Sequence, residues 1–177
     1  PEDKEAIAFM RGAMYEKMKK YDAAEAEFRK VLAANPKNPS ALNYLGYMLA
    51  DRGVRLEEAH DLITKALEED PHNGAYLDSL GWVYYRMNKL DEAESHLRRA
   101  LERFSSDPTI HDHLGDVYFK QGKLKEAIDQ WQVAVQEWNN SSPSDTDPAE
   151  VAKVEKKLES ARVRLAKESS AGPPKQQ

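Results

Sequence analysis

Residues 111–116 read HDHLGD, a dense set of groups that could do chemistry in this 177-residue chain. Two histidines and two carboxylates so close together invite a metal site or an acid–base pair. Helix geometry argues against both. His111 and His113 stand about 200° apart around a helix, so they cannot grip one ion. His113 and Asp116 are one turn apart and could offer two ligands. Zinc sites normally take three or four ligands from the protein, and no third is evident in the sequence. On the plainer reading His111 fills a large apolar column and His113 flanks a groove. His60, His72 and His96 are scattered, and there is no cysteine, so thiolate ligands, disulfides and a Cys nucleophile are excluded. No nucleophile elbow or phosphate loop occurs. We expect no catalytic residue, no metal and no cofactor, and therefore not an enzyme.

Recognition is the other chemistry to look for. The stretch LDSLGWVYYR (77–86) puts Trp82, Tyr84 and Tyr85 on one short segment. Hydrophobic residues make up 40% of the chain and charged ones 32%, with Glu, Lys, Ala and Leu abundant. That mix favours helix. The net charge of −5 speaks against binding nucleic acid through phosphate contacts. Its distribution is uneven: residues 148–177 hold seven Lys and Arg against four Glu, so the acidic excess lies on residues 1–147. No apolar run approaches membrane-spanning length, so no direct membrane insertion is expected. Nor is there a signal-peptide pattern. The chain opens at Pro1 and enters a helical pattern at once, which leads us to expect a piece of a longer protein.

The elements that position these residues are repeats. Gly12, Gly46, Gly81 and Gly115 recur at intervals of 34, 35 and 34, and Ala24, Ala59, Ala93 and Ala127 at 35, 34 and 34. The extra residue falls in the turn ADRGVRLEEA (50–59). Tyr15, Leu49, Tyr84 and Tyr118 each follow the glycine by three, and Phe28, Ile63, Leu97 and Trp131 each follow the alanine by four. Each unit reads as a helix A, a tight turn, a helix B, and a Pro or polar break. A mid-helix glycine costs about 1 kcal/mol against alanine, so its recurrence at one register predicts a close helix crossing.

This pattern resembles the tetratricopeptide repeat, a helix–turn–helix unit of 34 residues. The resemblance implies an all-α fold, a right-handed superhelix of four units with boundaries near 5–38, 39–73, 74–107 and 108–141. It is imperfect: the aromatic usual four places before the glycine is Ala8, Leu42, Leu77 and His111 here, and the fourth unit lacks a closing Pro in register. Residues 142–148 form a polar linker. Asp147 as N-cap, Pro148 at the first position and Glu150 then open a last helix over 149–168. Val151, Val154, Leu158, Ala161 and Leu165 give it one narrow apolar stripe. That suits a terminal cap with a polar outer face, with Trp138 packed beneath it. Residues 169–177 have nothing to bury and are expected to be disordered. No comparable cap precedes the first unit, which leaves Phe9, Met10 and Met14 partly unprotected.

In the family, positions 2, 5, 9 and 12 of each unit line a concave face. On this chain the resemblance places there Phe9, Asn43, Tyr47, Asp78, Trp82, Tyr85, Asp112, Asp116 and Phe119, with Glu16 at position 12 of the first unit. Tyr84 and Trp131 fall in core columns instead. The lining is aromatic and acidic and holds no Lys or Arg, a combination suited to anchoring and orienting a peptide. The cations with which some family members clamp chaperone tails are missing. The expected partner is another protein, through a peptide or helix segment with basic and apolar side chains. The alternative is an assembly element that docks or self-associates through its uncapped first repeat. A third possibility is that the basic C-terminal helix folds over its own acidic groove. Stretches such as LNYLGYMLADRG (42–53) are also similar to the C-terminal repeats of bacterial multi-repeat proteins, some of them envelope adaptors. That resemblance slightly favours the periplasm or envelope over the cytoplasm.

Overall fold

The computed structural model describes residues 2–170, with side chains from Lys4 onward. The described residues form nine α-helices and a short 3-10 turn, with no strand. They fall into two compact units that meet at Arg103 and Phe104. The first holds α1 (Glu2–Lys17), α2 (Tyr21–Ala34), α3 (Pro39–Arg52), α4 (Leu56–Glu69), α5 (Gly74–Arg86) and α6 (Leu90–Leu101). The second holds α7 (Pro108–Lys120), α8 (Leu124–Asn140), the turn Pro143–Asp145 and α9 (Pro148–Ser170). The last helix therefore starts one residue earlier and ends two later than its apolar stripe suggests. Of the tail expected to be disordered, Ser169 and Ser170 close α9, and 171–177 lie outside the described residues.

Local sequence explains where these helices begin. Asn38, Asn73 and Asp107 are N-caps whose side-chain oxygens accept backbone N–H bonds from the first turns of α3, α5 and α7. The B helices α2, α4, α6 and α8 have no such cap. They start instead from a turn with a left-handed residue seven places after the glycine: Lys19, Gly53, Asn88 and Gly122, with φ of 58°, 68°, 62° and 79°. The second turn carries its extra residue as another left-handed position, Arg55 at φ 47°.

The glycine column does what its spacing requires. A Cβ on Gly12 would lie 2.8 Å from the Phe28 ring, one on Gly46 2.6 Å from Ile63 Cγ1, and one on Gly81 2.7 Å from Leu97 Cγ. One on Gly115 would strike the Trp131 indole. In each pair the B helix presses its largest apolar residue onto bare backbone. Phe28, Leu45, Leu49, Ile63, Val83 and Leu97 are fully buried in the first unit. Trp131, Leu114, Val117 and Val154 are in the second. Each such side chain contributes roughly 1.5–3 kcal/mol by burial.

Helix α9 is a fifth A helix in disguise. The caps Asn38, Asn73 and Asp107 each precede a glycine by eight residues, and Asp147, whose carboxylate accepts from Ala149 N–H at 2.9 Å, precedes Glu155 by eight. Val154 thus falls in the buried column of Leu45, Leu80 and Leu114. Glu155 stands where the glycine would be.

Candidate functional site

In the first unit, the A-helix positions implied by the resemblance line two clefts. One, of about 320 Å³, is walled by Asn43, Tyr44, Tyr47 and Met48 of α3, Ala75, Asp78 and Ser79 of α5, and Glu16 of α1. The other, of about 490 Å³, lies among Glu5, Ala6, Phe9 and Met10 of α1, with Asn35, Asn38 and Ser40. Neither is lined by a Lys or Arg. Phe9 packs edge-on to Phe28 and Tyr44 at centroid distances of 5.8 and 5.2 Å, so it is anchored to the core while Tyr44 stays exposed. Glu5 accepts from the side-chain amides of Asn35 and Asn38 at 3.2 and 2.7 Å, which fixes the rim of the larger cleft.

Two features distinguish the smaller cleft. Asn43 Oδ1 is buried and has no hydrogen-bond partner among the described residues, and such an orphan acceptor costs about 1–3 kcal/mol. Burial, and then the neighbouring Asp51 charge, raise the Glu16 carboxyl above its usual range, with Lys17 partly opposing.

Trp82 sits differently from the expectation of an open groove aromatic. It is 8% exposed and belongs to the core of the first unit. Its Nε1–H donates to Asp51 Oδ1 at 3.3 Å, and Tyr85 stacks on it at 4.7 Å. Tyr85, half-buried, is the more accessible ring of the pair. Tyr84 lies on the other side, half-buried, with its hydroxyl 3.1 Å from His60 Nε2. Tyr44, next to position 5, is a lining residue that the column argument left out. Only the packing of Phe9 beneath it turns its ring toward the cleft.

In the second unit, Asp112, Asp116 and Phe119 are brought together and then covered by α9. Lys157 Nζ donates to Asp112 Oδ1 at 2.5 Å and to Asp116 Oδ1 at 2.7 Å. It also lies 5.3 Å from the Trp131 ring centroid. Arg164 stands 5.7 Å from the Phe119 ring. Burial and the Asp112 charge raise the Asp116 carboxyl, against the pull of Lys157. Burial works to lower the Lys157 ammonium, but its two carboxylates outweigh it and the net shift is upward. The one sign of this contact in the sequence was the basic excess after residue 148. The histidines of HDHLGD are structural in geometry. His111 Nε2–H donates to the Ser105 carbonyl at 2.9 Å and its Nδ1 meets the Gln130 amide at 2.7 Å, while His113 is buried.

Models of the tetratricopeptide repeat match residues 6–38, 39–106 and 79–142. The chain belongs to the tetratricopeptide repeat family, whose members generally mediate protein–protein interactions and are typically non-catalytic scaffolds. It is similar to a TPR repeat-containing protein of Pseudomonas aeruginosa, 44% identical over 90 residues, which is 51% of this chain but 15% of that relative's length. Among solved structures it is similar to a MamA protein, with a TM-score of 0.61 and 21% identity over 94% of this chain and 96% of the other. The APC/C hetero-tetramer Cut9–Hcn1 gives 0.82 and 20% identity over 92% and 30%. The Sgt2 TPR domain of Aspergillus fumigatus gives 0.63 and 20% identity over 78% and 87%. At such identities the likeness concerns the fold.

Proposed function

We propose that the chain is a non-catalytic protein-binding module, and that its ligand lies along the A-helix face of the first unit. The ligand is a peptide or helix segment that carries Lys or Arg beside apolar side chains. The observation that supports this best is the cleft around Tyr47, where an orphan Asn43 acceptor and a half-buried Glu16 carboxylate share aromatic walls. A backbone amide of the ligand answers Asn43, a cation answers Glu16, and its aliphatic stem lies on Tyr44 and Tyr47. The A-helix carboxylates of the second unit, Asp112 and Asp116, are already paired with Lys157, which favours the first unit as the receptive one.

A peptide array with matched basic–apolar and acidic–apolar sequences, probed with the folded chain, tests this reading. Basic–apolar peptides should be retained, and retention should fall about tenfold with Tyr47→Ala or Asn43→Ala, a loss of ~1.4 kcal/mol. Preference for acidic peptides, or indifference to both variants, would refute it.

A further inference from the structure

The turn edge of the first unit holds a recess of about 450 Å³, lined by Lys19, Lys20, Tyr21, Asp22, Ala23 and Arg52. These residues come from the turn between α1 and α2, the start of α2, and the last position of α3. Two successive repeats therefore wall it, and it shares no lining residue with the two A-helix clefts. Its three cations are uncompensated. Lys19, Lys20 and Arg52 are exposed and form no ion pair among the described residues. The carboxylates nearest them in sequence are engaged elsewhere. Asp51 accepts the Trp82 indole N–H at 3.3 Å, Glu25 binds Arg29 and Arg55, and Glu16 lines the Tyr47 cleft. Asp22 is the one carboxylate in the lining. In a chain of net charge −5, this is a local excess of positive charge set in a concavity.

The cations are also placed for an acceptor. The Arg52 guanidinium lies 4.8 Å over the Tyr21 ring. Stacking occupies the face of that planar group and leaves its in-plane N–H donors available. Lys19 stands at φ 58°, where the other turns carry Gly53, Asn88 and Gly122. Glycine would serve the backbone better there. Lysine adds an ammonium to the recess, and strained positions of this kind cluster at binding sites. The lining suits a carboxylate on an aliphatic stem. The guanidinium fork matches two carboxylate oxygens, the two ammonium groups add charge, and the Tyr21 ring and Ala23 methyl receive the stem. Asp22 at the rim repels a phosphate dianion more than a carboxylate monoanion. We propose that this recess is a second binding site, which takes an aspartate or glutamate side chain from an acidic segment of a partner protein. It goes beyond the basic–apolar ligand of the A-helix cleft and does not depend on it.

Fluorescence anisotropy of a labelled hexaglutamate peptide with the full chain tests it, at low ionic strength where exposed charges act. Arg52→Gln and Lys20→Gln should each weaken binding about threefold, and the two together about tenfold, in keeping with the modest worth of exposed charge contacts. Lys125→Gln with Lys156→Gln removes the same charge from exposed positions of the second unit and should leave binding unchanged. Lys19→Gly should weaken binding with no loss of stability in urea, which separates the ammonium from the turn. Phosphate should compete no better than acetate at equal ionic strength. Absence of binding to the unaltered chain, or equal losses from the second-unit pair, which would mean attraction to net charge alone, overturns the proposal. So does displacement of the peptide by phosphate but not by acetate.

Discussion

At the scale of single residues, the same side chain is right or wrong according to the backbone beneath it. Gly46 faces Ile63 Cγ1 at 2.6 Å and the Ala59 carbonyl oxygen at 3.1 Å from where its Cβ would be. Neither neighbour is the free end of a flexible chain, so Gly46→Ala forces the helices apart. We expect a loss of about 1–3 kcal/mol in urea unfolding. Lys19 is the opposite case, a residue with a Cβ held at φ 58°. Lys19→Gly relieves the left-handed penalty, against a gain of unfolded-state entropy. A net stabilisation of up to ~1 kcal/mol is expected in the same experiment, and a destabilised variant would show that Lys19 makes a compensating contact. The glycine column could be read from spacing alone. The left-handed column was less plain, because Gly53, Asn88 and Gly122 are types that adopt that region readily but Lys19 is not.

At the scale of elements, charge pairs tie the helices together in ways that pH can reveal. Glu25 of α2 bonds Arg29 on its own helix and Arg55 at the start of α4, at 2.7 and 2.5 Å. The Arg55 hydrogen bond above all lowers its pKa from 4.5 to about 2. A depressed folded-state pKa means a contribution that is complete above pH 4.5 and is lost as pH falls toward 2. Glu25→Gln should therefore flatten the stability profile in that window and leave the profile above it parallel to wild type. Lys157 has the reverse sign. Its pKa is raised above 10.5 by Asp116 and Asp112, so its hold on α9 is complete below that value and is lost as pH rises through the folded-state pKa. Lys157→Ala should speed amide exchange in residues 148–170 at neutral pH, with little change in α3 and α4. Unchanged exchange in α9 would mean that Val154, Leu158 and Ala161 hold it alone.

At the scale of the whole molecule, the two units differ in what their polar A-helix positions meet. The acidic positions of the second are filled by the chain's own α9, while the clefts of the first keep an orphan acceptor and a desolvated carboxylate. We therefore expect Tyr47→Ala to weaken binding of a basic peptide and Asp112→Asn with Asp116→Asn to leave it unchanged. Equal losses from both, measured by fluorescence anisotropy, would place the ligand across a wider surface. What the sequence determined by itself was the repeat: period, helix pairs, crossing glycines, caps and the apolar columns all follow from local pattern, because each unit repeats the same short-range solution. What only the tertiary structure decided was which groove residues remain available. Trp82 is drawn into the core by a hydrogen bond to Asp51, thirty-one residues away, and Asp112 meets a lysine forty-five residues away. Spacing along the chain carries the angle at which a side chain leaves its helix. It does not carry the identity of what a distant helix sets against it.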